Sequence, residues 1–137
     1  MCEKYRLVIY DRRGWKRTNV ENILASKWRH YRGKFVIIEI YGIHYLAASL
    51  SPAVDADFSP EHTDHTTIRA TLVKDLGLGE GGKHWHFPNL GGGWITIDTD
   101  SRRVELYGES RSMGKYDVQK AQIILKLNLP DFSFECI

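Results

Sequence analysis

Short stretches in which apolar residues alternate with polar ones, or follow one another as β-branched side chains, recur along the chain and predict strands. They cover residues 4–10, 35–41, 43–50, 94–99, 103–107 and 132–136. The sequence FVIIEIY at residues 35–41 is the clearest of them, because β-branched and aromatic residues favour a pleated, buried strand. Gly42 ends this run, and residues 43–50 are expected to return antiparallel to it.

Three further stretches have apolar residues at the spacing of a helix. The first is short, and Thr18 at its start and Glu21 in its first turn have the spacing of a capping box. The second begins near Thr63 or Asp64, either of which can cap it, and ends at Gly77. The apolar positions of the three helices are Val20, Ile23, Leu24 and Trp28; Ile68, Leu72, Val73 and Leu76; and Val118, Ala121, Ile124 and Leu125.

Strands outnumber helices, and the helices fall between groups of strands. The sequence therefore predicts an α+β fold in which two main helices pack on a mixed β-sheet. At 137 residues the chain is long enough to bury a core, and we expect residues 1–137 to form a single domain.

Composition bears on whether the protein associates with a membrane and on where it is located in the cell. No apolar run approaches the roughly 20 residues that span a bilayer, and the first residues lack a signal-peptide core, so we expect no membrane association. The two cysteines, Cys2 and Cys136, form neither a metal cluster nor a disulfide framework, which favours a reducing, cytoplasmic location.

Charge is distributed unevenly along the chain. The first 36 residues contain ten Lys/Arg and three Asp/Glu, whereas the rest contain nine and fourteen. Such a basic segment either meets phosphate groups on nucleic acid or protein, or is a solvated face. The mixed aromatic and basic residues at positions 28–35 resemble a single-stranded nucleic-acid surface, but a helix end with a solvated flank explains them equally well. We expect no nucleic-acid partner.

A glycine- and serine-rich region carries the first candidate chemistry. Gly91, Gly92 and Gly93 permit a close approach of backbone or ligand, because none has a Cβ. Gly108 ends a predicted strand, and the small residues 109–114 form a loop before the third helix. This order gathers amide N–H groups at the positive end of a helix dipole, which predicts an anion site.

Two stretches of the sequence come close to common nucleotide-binding motifs, but neither is in the required context. Residues 77–82 match G-x-G-x-x-G, but they follow a predicted helix and precede a strand, the reverse of the dinucleotide context. Residues 108–115 nearly match a P-loop, but five residues separate Gly108 from Gly114, and Tyr116 stands where a magnesium-binding hydroxyl residue is required.

Histidines carry the second candidate chemistry. His62, His65, His84 and His86 have H-x-x-H and H-x-H spacings that could bind zinc with a carboxylate such as Asp64, although surface or core histidines fit the same pattern better. His65 also lies at a predicted helix start, where an imidazole can act as nucleophile or general base near neutral pH. We expect no metal and no other cofactor.

The ordered motifs resemble the Janus/Ocnus family, which includes the small eukaryotic protein histidine phosphatases. His65-Thr-Thr-Ile68 is similar to the family's first helix with its catalytic histidine, and Lys4-Tyr5 is similar to the lysine that opens its first strand. The resemblance covers residues 62–137 and, less closely, 4–10. Its other elements are Leu90-Gly-Gly-Gly93, Arg102-Arg103, Val-Glu-Leu-Tyr107-Gly108, Ser110, Gly114 and a helix that ends at Pro130-Asp131-Phe132.

This resemblance implies a metal-independent phosphatase that removes phosphate from histidine, or from lysine, on a phosphorylated protein. His65 would be the nucleophile or general base. The backbone amides of Ser110, Arg111 and Ser112 would hold the phosphoryl oxygens, and Lys4 would add positive charge. We expect the chain to act as a monomer.

The chain departs from the family at two positions. Trp94 stands where the phosphatases have an arginine after the three glycines, and the arginine ahead of the catalytic histidine has no counterpart near Asp57 and Phe58. Arg111 and Lys115 are the candidates to replace these charges. The alternative function is therefore a non-catalytic Janus-like module that binds phosphorylated protein or another anionic partner.

Overall fold

A seven-stranded mixed sheet organises the part of the chain that the computed structural model describes, which is residues 4–11, 15–53, 65–78 and 87–137. The strands are β1 (Tyr5–Asp11), β2 (Lys16–Thr18), β3 (His30–Ile40), β4 (Ile43–Pro52), β5 (Asn89–Asp98), β6 (Arg103–Tyr107) and β7 (Ser133–Cys136). The helices are α1 (Val20–Ala25), α2 (His65–Asp75) and α3 (Val118–Asn128).

The strand order is β2-β1-β4-β3-β5-β6-β7. The β1–β4 and β6–β7 pairs are parallel, and the other pairs are antiparallel. The predicted α+β fold with a mixed sheet is therefore confirmed. The predicted hairpin of residues 35–50 is also confirmed, with Tyr41 (φ 50°) and Gly42 (φ 80°) in its turn.

Helices cover both faces of the sheet, and consecutive residues of its central strands are therefore buried on opposite sides. Phe35 and Ile37 of β3 belong to the core under α1 and α3, whereas Val36 and Ile38 belong to the core under α2. All four are fully buried. Each buried side chain of this size stabilises the fold by about 1.5–3 kcal/mol. We call the side of the sheet that α2 covers the α2 face.

Several boundaries differ from the sequence-based expectation. Asn19, not Thr18, caps α1, since its side chain accepts a hydrogen bond from the amide of Asn22 at 2.9 Å. Strand β5 begins at Asn89, so the three glycines lie inside a strand and not before one. The predicted caps Thr63 and Asp64 lie outside the described residues, as does most of residues 84–87, the strand that residues 77–82 were expected to precede.

Helix length bears on the membrane expectation. Within the described ranges, no helix is both long enough and apolar enough to cross a bilayer.

Candidate functional site

The glycines of β5 create the space in which the site forms. A Cβ on Gly92 would lie 2.6 Å from the carbonyl oxygen of Phe35, 3.0 Å from Cδ2 of His65 and 3.4 Å from Cβ of Ser110. Gly91 has a φ of +91°, and a Cβ there would lie 2.2 Å from the carbonyl oxygen of Lys115. Only glycine permits these approaches. Gly92 therefore lets the start of α2 and the loop after β6 meet over one point of β5.

His65 is the first residue of α2 and is 6% exposed. Its Nε2 lies 2.9 Å from the carbonyl oxygen of Gly93. Because a carbonyl oxygen can only accept, Nε2 must donate, and the neutral ring then has its lone pair on Nδ1. The contact with β5 therefore fixes both the orientation and the tautomer of the imidazole.

The loop from Ser110 to Gly114 is closed by its own backbone. The amide of Ser110 donates to the carbonyl oxygens of Gly92 at 3.1 Å and Gly114 at 3.3 Å, and the amide of Gly114 donates back to Ser110 at 2.9 Å. The amide of Met113 donates to Oγ of Ser110 at 3.0 Å. The predicted phosphate donor at Ser110 is thus already bonded within the protein. The amides of Arg111 and Ser112 have no hydrogen-bond partner in the described part of the chain.

Arg69 of α2 contacts this loop through its buried side chain. It lies one turn after His65 and is 2% exposed. Its guanidinium donates to the carbonyl oxygen of Phe87 and to Sδ of Met113 at 3.5 Å. Burial lowers the pKa of Arg69. Arg69 was not predicted as a site residue, although an arginine among the apolar positions of a helix, here between Ile68 and Leu72, indicates a buried polar contact.

Asn89 ties the other end of the loop to β5. Its side-chain amide donates to the carbonyl oxygen of Met113 at 3.2 Å, and its side-chain oxygen accepts from the amide of Gly91 at 2.8 Å. Two polar side chains, Arg69 and Asn89, therefore hold the same loop residue in place against the start of α2.

The α3 helix takes no part in this arrangement. Its N-terminus is capped by Asp117, whose side chain accepts from the amide of Lys120 at 3.1 Å, and α3 packs on the face opposite α2. The expected contribution of a helix dipole to an anion site is therefore wrong for α3. The protein's own carboxylate occupies that helix end, and residues 115–117 carry the chain from one face to the other.

Lys4 lies far from this site. It precedes β1, and its carbonyl oxygen accepts a hydrogen bond from the amide of His44 at 2.7 Å. Strands β4 and β3 stand between β1 and β5, which separates the backbone of β1 from that of β5 by about 14 Å. The register adds a displacement along the strands, because the row through Gly92 crosses β1 at Val8. The structure does not bring Lys4 to His65.

A different lysine borders the site. Lys34 of β3 pairs with Trp94 of β5, and its Nζ lies 4.8 Å from the centroid of the Trp94 ring. Trp94 is two residues after Gly92, so its side chain is on the α2 face with His65. A Cβ on Gly108 would lie 2.8 Å from Cδ1 of Trp94, so the indole extends toward the start of the loop. Lys34 was not among the site residues predicted from the sequence.

The zinc alternative involves residues outside the described ranges. His62, His84 and His86 all fall there, so their convergence on His65 stays untested. Among the described residues, no group of three or more His, Cys, Asp or Glu side chains could hold a metal ion.

Comparison with known proteins connects the site to a family. A search of curated proteins finds no match. The model of the Janus/Ocnus family matches residues 30–133, which include Lys34, His65, the three glycines and the Ser110–Gly114 loop but exclude Lys4. The first strand of the matched segment is β3, where Lys34-Phe35 repeats the lysine–aromatic pair seen at Lys4-Tyr5. On this match, which confirms the resemblance seen in the sequence, the chain belongs to the Janus/Ocnus family.

Proposed function

We propose that the protein is a metal-independent phosphatase that hydrolyses the P–N bond of phosphohistidine, or of phospholysine, on a protein substrate. One observation supports it above the others: the buried imidazole of His65 and the Ser110–Gly114 loop meet over the missing Cβ of Gly92. A phosphoryl group on the amides of Arg111 and Ser112 would then lie near the imidazole of His65. We further propose that the protein acts as a cytoplasmic monomer.

The chemistry follows from the tautomer of His65. If His65 is the nucleophile, Nδ1 attacks phosphorus, the P–N bond breaks, and its electron pair stays on the substrate nitrogen, which takes a proton. Water then attacks the phosphorylated His65, which releases inorganic phosphate and restores the imidazole. If His65 is the general base, Nδ1 removes a proton from the attacking water, and phosphate forms in one step.

Charge neutralisation is the other requirement of phosphoryl transfer. The amides of Arg111 and Ser112 supply donors, and Lys34 supplies the positive charge that was assigned to Lys4 from the sequence. Arg69 contributes position and not charge to the substrate, since its guanidinium is buried against Phe87 and Met113.

A second candidate is the non-catalytic module that binds a phosphorylated protein. The presence of Trp94 in place of the family's arginine favours it, because an indole offers no positive charge to a transition state. Both candidates use the same loop, so they differ only in whether bound phosphate is released.

Turnover separates the two candidates. We expect phosphohistidine to be hydrolysed at the same rate with and without a chelator, and His65→Ala to lower kcat by about 10³-fold or more. The measurement is release of inorganic phosphate, with His44→Ala as the control because His44 lies on β4, away from the loop. Saturable binding of a phosphate analogue without turnover would instead identify a binding module.

A further inference from the structure

The α2 face of the sheet divides into an apolar half and a polar half. Helix α2 covers the apolar half, which includes Val36, Ile38 and Ala47. At the positions of β3 that precede Val36, and at the paired positions of β4 and β5, the strands place polar residues on the same face. Side chains two residues apart in a strand share a face. The register joins these residues into a patch, which we call the polar patch: Arg32, Lys34, Ser49, Ser51, Trp94 and Thr96.

Arg32 is an unusual member of the polar patch. Its side chain is partly buried, and its Nε is shielded from solvent without a hydrogen-bond partner. Across the described ranges its guanidinium makes neither an ion pair nor a hydrogen bond. An uncompensated charge that has lost part of its hydration is costly, so an anion that is absent from the free protein would find favourable contacts here.

Ser49 gives a second, independent indication at the same place. It is 0% exposed, and its Oγ has no hydrogen-bond partner among the residues that the structure describes. Arg32 pairs with Ser51, so Ser49 is its diagonal neighbour on β4, within reach of a long side chain. Buried hydroxyl groups in native structures are nearly always bonded. A donor hydroxyl and a guanidinium on diagonally neighbouring residues, both without an acceptor in the described part of the chain, can share one oxyanion.

The distance from Arg32 to the proposed catalytic centre indicates where the anion would lie on a bound polypeptide. Arg32 is four residues from Val36, and Val36 pairs with Gly92, so about 13 Å of strand separates Arg32 from the row of the glycine. An extended polypeptide covers this distance in three or four residues. A guanidinium with one positive charge can bind a singly charged carboxylate through two parallel hydrogen bonds.

We propose that Arg32 and Ser49 form a second anion subsite, which binds the carboxylate of an Asp or Glu three or four residues from the phosphorylated residue of a protein substrate. Phosphorylation of the substrate rests on the proposed function, whereas the carboxylate contact does not. Substrate would lie along β3 on the polar patch, with Lys34 between the two anionic groups.

The test uses four phosphohistidine peptides, with Glu or Gln at the third and fourth positions on either side of the phosphohistidine. We expect KM for the better Glu peptide to be about 5- to 10-fold lower than for its Gln partner, with equal kcat. Arg32→Gln should remove this difference, and Ser49→Ala should reduce it. Arg29→Gln, which removes an exposed guanidinium 3.5 Å from Asp100, should keep it.

A readout of folding distinguishes a binding residue from a structural one. Because Arg32 has no hydrogen bond or ion pair to lose in the described part of the chain, Arg32→Gln should leave Tm unchanged or raise it. A lower Tm would assign Arg32 to the fold and overturn the subsite. Equal KM values for Glu and Gln peptides in the wild-type protein would also overturn it.

The outcome stays separable from that of the proposed function. Turnover of phosphohistidine without any preference for Glu would defeat the subsite alone. If no peptide is hydrolysed, the same Glu and Gln peptides with a non-hydrolysable phosphonate in place of the phosphoryl group are compared by binding. A preference for Glu that depends on Arg32 would then support the subsite although the phosphatase proposal had failed, and equal affinities would defeat both.

Discussion

At the scale of single residues, the site depends on atoms that are missing. Gly92 is the point over which His65 and Ser110 approach each other, and each would be within 3.4 Å of a Cβ there. The same strand position faces the carbonyl oxygen of Phe35 on the neighbouring strand. Close packing on three sides leaves no direction in which a methyl group could be accommodated without movement.

Gly92→Ala should therefore disturb the site more than the fold. We expect a loss of about 1–3 kcal/mol in the free energy of unfolding from overpacking, together with a large drop in kcat as the His65 ring is displaced. Urea denaturation and phosphate release measure the two effects. Gly42→Ala is the control, because Gly42 has a φ of +80° but nothing within 4 Å of its Cβ position. It should cost about 1 kcal/mol from backbone strain and leave kcat unchanged.

Two lysines offer a matched comparison. Lys34→Met should lower kcat/KM by about 10- to 100-fold, since it removes positive charge beside the proposed phosphate site. Lys4→Met removes the same charge from the residue before β1, a strand that lies three positions from β5 in the sheet, and should leave kcat/KM unchanged. Steady-state kinetics on phosphohistidine tests both. The opposite result would return the charge to Lys4 and contradict the assignment of Lys34.

At the scale of elements, one face of α2 carries two residues that contact the site. His65 reaches the β5 carbonyl at its first turn, and Arg69 at the next turn reaches Phe87 and the loop residue Met113. The helix thus positions both the proposed catalytic imidazole of His65 and residue Met113 of the proposed phosphate loop. Because the two residues are four apart, any rotation of α2 would move both together.

Replacing Arg69 should separate its volume from its hydrogen bonds. Arg69→Ala leaves a cavity and an unpaired carbonyl oxygen at Phe87, and we expect a loss of about 2–4 kcal/mol in unfolding free energy. Arg69→Met fills most of the space with apolar atoms and should recover part of that loss. Both values come from urea denaturation. A loss for Arg69→Met equal to that for Arg69→Ala would show that the hydrogen bonds, and not the volume, dominate.

At the scale of the whole molecule, one contact joins distant parts of the chain. The hydroxyl of Tyr10 in β1 donates to Asp75 at the end of α2, at 3.1 Å. Burial, and then the charge of Asp75, raise the pKa of Tyr10 above its usual value. A group whose pKa is raised by folding contributes stability below its unfolded pKa and loses that contribution as the pH rises.

The protein should therefore lose stability as the pH rises above about 10, where unfolded tyrosine ionises. Tyr10→Phe should lower the stability at pH 8 by about 1 kcal/mol, because it removes the hydrogen bond, and should reduce the decline between pH 9 and 11. Urea denaturation across this pH range is the measurement. The remaining slope is expected from Tyr116, whose pKa burial also raises.

Sequence patterns predicted those parts of the fold that follow from local periodicity. The apolar run at residues 35–41 and the helical spacing of Ile68, Leu72 and Val73 both gave elements of the right kind. Strand β2 was missed because Lys16, Arg17 and Thr18 have no apolar alternation, and it exists only through pairing with β1.

Strand order was the information that the sequence lacked. Lys4-Tyr5 and Lys34-Phe35 are equivalent as local patterns, and only the order of strands shows which pair borders β5. The same lack explains the error at α3, since amphipathic spacing does not say which face of a sheet a helix covers. Arg69 differs, because its position on the apolar side of α2 was visible in the sequence.

The two outermost strands have a consequence for the behaviour of the molecule in concentrated solution. Strand β2 has three residues, two of them basic, and β7 has four, with Glu135 bound to Arg103 of its neighbour. Short, charged margins offer few free backbone groups to an incoming strand and so discourage edge-to-edge aggregation. Strands that end the sheet in this way discourage pairing with other copies of the chain, whereas the polar patch remains the part of the α2 face proposed to bind a polypeptide substrate.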